Sequence, residues 1–157
     1  MNYYNENGRI ISIDIKNYSQ NWFIGQELCK NCYSPDESPL WNKFVKFYQG
    51  STIDPLILEI VGKHVNESKV IFVSQDSSHN GLFVYNELSA YSKFVSVGSY
   101  IIVQDTELDR MRRRVNGSIS GCIDKFISEN NNFEINRDVE NLFFFTQHPK
   151  GYIKRVK

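Results

Sequence analysis

Apolar residues fall along this chain in short runs separated by polar turns, and their spacing changes from run to run. Arg9-Ile-Ile-Ser-Ile-Asp-Ile15 is β-branched, follows Gly8 and predicts a strand ending near Asp14. The pattern then weakens. Trp22, Phe23 and Leu28 suggest a helix, and Ser34-Pro-Asp-Glu-Ser-Pro39 has the prolines and turn formers of a loop. Phe44 to Tyr48 predicts a second strand, stopped at Gly50. Asp54-Pro55 places an N-capping acid before a proline at the first helical position, opening a helix through Leu56, Ile57, Ile60 and Val61.

Lys69-Val-Ile-Phe-Val-Ser74 is nearly continuous apolar, which predicts a central parallel strand covered on both faces. Val84, Leu88, Tyr91 and Val95 then recur at helical spacing, and Gly98 closes that unit. Ser99 to Val103 predicts another buried strand, ending at Gln104-Asp105. A polar, basic excursion from Glu107 to Ser118 precedes a second amphipathic face at Ile119, Ile123, Phe126 and Ile127, which Asn130-Asn131-Asn132 breaks. Two closing strands are expected at Phe133 to Asn136 and Leu142 to Gln147, then a tail from Gly151 to Val156. Strands alternating with helices predict an α/β three-layer sandwich with right-handed crossovers. Ligands in such sheets sit beyond the carboxyl ends of the parallel strands.

Composition narrows the function classes. The 157 residues fit one domain, 1–157, and 41% hydrophobic with 23% charged residues excludes wholesale disorder. Eighteen basic and eighteen acidic residues balance, so no long-range field favours nucleic acid or an anionic membrane. Arg110, Arg112, Arg113 and Arg114 form a basic run, but Asp105, Glu107 and Asp109 flank it and predict a self-paired loop. No apolar run has the roughly 18 residues of a membrane span, and the start lacks signal-peptide parts, so a cytoplasmic address is expected. Cys29 and Cys32 form a CxxC, but the only other cysteine is Cys122, one ligand short of a closed zinc site. Three cysteines also favour a reducing compartment over a disulfide scaffold.

The main chemical signal is that predicted strands end on Asp14, Asp76 and Asp105. Asp76 and Asp105 are separated by about one strand-helix-strand unit, so their strands are expected to be neighbours and their carboxylates to share a divalent cation. Gln104 adds a carbonyl oxygen to that set if the strand ends before it. His79 is a candidate general base or a donor to the ligands. By pattern alone Asp76, Ser78 and Asn80 also read as turn and helix-cap residues, which would account for the whole Asp76-Ser-Ser-His-Asn80 run. Asp14 has the position of an acid that accepts ribose hydroxyls, with a solvated loop acid as its alternative. Gly50-Ser51 either lets an adenine ring approach the backbone or makes a turn.

Six segments in order extend this reading: Arg9 to Ile15, Gln49-Gly-Ser-Thr-Ile-Asp54, Asp76-Ser-Ser-His79, Glu87-Leu-x-x-Tyr91, Val97 to Thr106, and Gly151-Tyr-Ile-Lys-Arg155. Together they resemble the cephalosporin hydroxylase family. The resemblance implies a Rossmann-like, S-adenosylmethionine-dependent methyltransferase fold, with a mostly parallel sheet and an antiparallel C-terminal strand. It implies Asp14 on the cofactor ribose, Gly50 and Ser51 beside the adenine, and Asp76, Gln104 and Asp105 around Mg2+. The family usually has Glu-Asp where this chain has Gln104-Asp105. A first strand and glycine-rich loop ahead of Arg9 are also expected in the family, and their lack here leads to the expectation of an N-terminally truncated member.

Two functions follow as expectations. One is O-methyl transfer to a sugar or small-molecule hydroxyl, with His79 or Asp76 assisting deprotonation. The other is a non-catalytic remnant whose strand edges pair with another chain or with a second copy in a homo-oligomer.

Overall fold

A computed structural model describes residues 8–17, 34–111, 117–142 and 145–157. It divides into two compact units, Met1–Val61 and Gly62–Lys157.

In the first unit, β1 (Ile10–Asp14) pairs in parallel with β2 (Val45–Gln49), with Ile10 opposite Val45 and Asp14 opposite Gln49. Helix α1 (Pro39–Phe44) feeds straight into β2, so the loop expected up to Pro39 gives way to a short helix capped by Ser38. Proline at the first helical position and the Ser38 side chain accepting from the Leu40 N–H supply the start that the proline-rich composition concealed. Helix α2 (Pro55–Asn66) opens as expected, its Leu56 N–H donating to Asp54 Oδ1 at 2.8 Å. Gly50 lies against this helix, where a Cβ would stand 3.0 Å from Ile57 Cγ1. The helix expected around Trp22, Phe23 and Leu28 and the Cys29/Cys32 pair lie outside the described residues.

The second unit holds a four-stranded sheet in the order β3-β4-β6-β5, formed by Val73–Gln75, Tyr100–Val103, Tyr152–Arg155 and Phe133–Ile135 respectively. Strands β3 and β4 are parallel, and β6 runs antiparallel to both β4 and β5. Helix α3 (Gly81–Tyr91) connects β3 to β4, and α5 (Ile119–Glu129) precedes β5. Short helices α4 (Leu108–Met111) and α6 (Arg137–Asn141) fill the remaining connections. Val84 and Leu88 of α3, Ile119, Ile123 and Phe126 of α5, and Ile101, Val103 and Ile153 of the sheet form one buried cluster. The helical and strand periodicities therefore converge on one core.

Two strand expectations are corrected. The Lys69–Ser74 run makes a ladder only at its end, and β3 is an edge of the described sheet, with Val70 and Phe72 78% and 62% exposed. Ile71 leaves the ladder because its N–H donates to Ser96 Oγ and its carbonyl accepts from the Ser96 N–H. The described residues of Leu142 to Gln147 form no strand. The closing strand is instead the expected tail, whose Ile153 is fully buried between β4 and β5. Asn136 ends the first of the two expected strands: its side chain accepts from the Asp138 and Val139 N–H groups and opens α6 directly after it.

Candidate active site

Strand β3 ends at Gln75 and its parallel neighbour β4 ends at Val103, so Asp76 and Asp105 follow adjacent strand ends at one rim of the sheet. The Gln104 N–H donates to the Gln75 carbonyl at 2.9 Å, the last bond joining the two segments before they part. Asp105 then takes a left-handed backbone conformation, φ 54, which Asp tolerates better than most residues. One ligand atom from each of Asp76, His79 and Asp105 lies within 4.8 Å of the others, and His79 Nε2 is 3.5 Å from Asp105 Oδ2.

The two readings of the Asp76 to Asn80 run divide between its residues. Asn80 caps α3, its side chain accepting from the Leu82 and Phe83 N–H groups, and Ser78 Oγ accepts from the Asn80 N–H. Asp76 takes no part in that cap. Two carboxylates and an imidazole are the donor chemistry of a hard or borderline divalent cation. Their spread also fits, because trans oxygens at about 2.1 to 2.4 Å from an ion are roughly 4.2 to 4.8 Å apart. The strand ends before Gln104, whose side-chain amide N–H donates to Ser74 Oγ at 2.8 Å.

Beneath the rim lies a buried polar cluster that sequence reasoning treated as a motif without a role. Glu87 on α3, 3% exposed, accepts from the Gln75 side-chain amide and from Ser77 Oγ at 2.5 Å. Tyr91, one turn further along α3, is pushed up to about 12 by burial and then by the Glu87 charge. A second missed residue is His148, whose Nδ1 accepts from the Asp105 N–H at 2.9 Å. A histidine so distant in the chain carried no spacing signal that could have linked it to Asp105.

In the first unit, Asp14 and Gly50 stand at the ends of paired strands, and the Gly50 N–H donates to the Asp14 carbonyl at 2.8 Å. Asp14 Oδ1 accepts from the Lys16 N–H at 2.8 Å, which fixes the carboxylate at the strand end.

The basic run has the local pairing expected at Arg110, which meets Glu107 at 3.1 Å, whereas Arg112, Arg113 and Arg114 lie outside the described residues. Among the described residues no helix is long and apolar enough to cross a membrane.

No curated protein and no solved structure matches the chain. A family model described as rhamnosyl O-methyltransferase/CmcI matches residues 1–156. With its α/β strand order and antiparallel last strand, the chain belongs to this O-methyltransferase family, also called the cephalosporin hydroxylase family.

Proposed function

We propose that residues 1–157 act as one methyltransferase-like domain that moves a methyl group from S-adenosylmethionine to a hydroxyl of a sugar or other small molecule. The grouping of Asp76, His79 and Asp105 carries this reading. Asp76 and Asp105 would hold Mg2+, with Gln104 beside them as a neutral neighbour. Asp14 would accept the ribose hydroxyls, and Gly50 with Ser51 would flank the adenine. When bound, the cofactor supplies an electrophilic methyl group and the cation a positive charge near the acceptor oxygen.

The chain's own groups then bind, orient and move a proton. His79, whose Nε2 lies 3.5 Å from Asp105 Oδ2, takes the proton from the acceptor hydroxyl beside the two carboxylates that would hold the cation. Asp76 keeps the acceptor oriented, and orientation is the larger part of such a transfer. Glu87, through Ser77, holds the Asp76 to His79 loop against α3. Calorimetric titration of S-adenosylmethionine into the full chain, with and without Mg2+, tests the reading. Micromolar binding supports it, and no heat at millimolar cofactor overturns it.

The exposed β3 edge favours a second reading, a non-catalytic module whose sheet is extended by another chain or a second copy. Size-exclusion chromatography with light scattering separates the two, since a monomer that binds cofactor argues for the enzyme.

A further inference from the structure

The geometry points to His148 as a positioning residue for Asp105, an inference that rests on Asp76 and Asp105 holding a cation beside His79. Asp105 has φ 54, a backbone conformation that few residues with a side chain adopt and that sets where its carboxylate points. Strand β4 has ended at Val103, so no ladder partner remains for the Asp105 N–H, which donates instead to His148 Nδ1 at 2.9 Å.

His148 is held for this task. Its own N–H donates to Thr146 Oγ1 at 3.1 Å, its carbonyl accepts from the Gly151 N–H at 2.8 Å, and its ring meets Tyr152 edge-on at 6.2 Å. The segment carrying it runs along the end of β4: the Val103 N–H donates to the Gly151 carbonyl at 2.8 Å, and the Glu107 N–H to the Gln147 carbonyl at 3.1 Å. Thr106 Oγ1 adds a bond to the Pro149 carbonyl at 2.7 Å. These bonds bracket Asp105 on both sides, and His148 supplies the one between them. Without that acceptor the Asp105 amide gains by turning back to negative φ, which swings the carboxylate away from Asp76 and His79.

The test is calorimetric titration of Mn2+ into the full chain, beside amide exchange of Asp105 read by NMR without metal. His148→Leu removes the acceptor and should weaken Mn2+ binding by about 10-fold or more, as loss of a group that orients a metal ligand does. His148→Asn keeps an acceptor near the Nδ1 position and should stay well inside that loss. Thr106→Val removes a neighbouring bond that does not touch Asp105, and should lower stability while leaving Mn2+ affinity unchanged. The Asp105 amide should exchange slowly in the wild type and in His148→Asn.

Equal Mn2+ affinity in His148→Leu and the wild type overturns the assignment, as does a tenfold loss in His148→Asn or Thr106→Val. A wild type that binds no Mn2+ overturns the cation reading instead. The exchange measurement then decides positioning alone, with a rapidly exchanging wild-type Asp105 amide as the result against it. Should His148→Leu fail to fold, the wild-type exchange rate and the His148→Asn affinity still decide.

Discussion

Ser77 donates from Oγ to Glu87 Oε2 at 2.5 Å, tying the loop between Asp76 and His79 to the buried face of α3. The same carboxylate accepts from Gln75, so one acid serves two donors that lie on either side of Asp76. Burying it is tolerable only because it is hydrogen-bonded from two directions.

Glu87→Ala takes the acceptor from both donors. Gln75 is buried and Ser77 is exposed, so the Gln75 amide bears the cost, about 1–3 kcal/mol, while the Ser77 hydroxyl can turn to water; Glu87→Gln should stay closer to wild type because one oxygen still accepts. Urea denaturation measures this. An unchanged midpoint for Glu87→Ala would show that the cluster contributes nothing to stability.

The carboxylates at the rim should be separable from the fold. Asp76 and Asp105 are at least partly exposed, so Asp76→Asn and Asp105→Asn should leave the thermal midpoint nearly unchanged while weakening Mn2+ binding by at least about tenfold. Mn2+ should also broaden the His79 ring resonances in the wild type. Wild-type affinity in both variants would remove the cation from this site.

Gly151 is the tightest point between β4 and the segment before β6. A Cβ there would stand 2.2 Å from the Val103 carbonyl oxygen, a backbone atom that cannot rotate away. Gly151→Ala should therefore cost about 3 kcal/mol, the upper end for overpacking, and should accelerate exchange of the Val103 amide that donates to Gly151. A fully stable Gly151→Ala would mean the strands can separate locally at no cost.

Tyr91 makes stability depend on alkaline pH. Its pKa is 10.0 when unperturbed and about 12 in the fold, raised first by burial and then by Glu87. The stabilisation is complete below pH 10.0, where both states hold the proton, and is lost as pH rises from 10.0 through about 12. Denaturation midpoints measured across that range should fall, and Tyr91→Phe should flatten the decline. An identical decline in the variant would assign the effect to other groups.

Much of the site was legible because its residues are local to strand ends. Asp76 and Asp105 could be read as neighbours since one strand-helix-strand unit returns the chain to the adjacent position. The Asn80 and Asp54 caps were equally readable, because capping is decided within three residues. Edge position was not, since the apolar run at Lys69 to Ser74 specifies what its side chains favour and leaves open how many strands flank it. Nor was the closing strand, because alternation in the tail is too short to outweigh the aromatic cluster before it.

The amino-acid order by itself determined the α/β alternation, the starts of α2 and α3, and the acids waiting at the ends of β1, β3 and β4, because periodicity and capping act over a few residues. Tertiary structure alone decided that His79 stands beside Asp76 and Asp105, that Glu87 is buried beneath them, and that His148 accepts from the Asp105 backbone. Those pairings are long-range hydrogen bonds and contacts, fixed by how strands and helices pack, and no local rule encodes them.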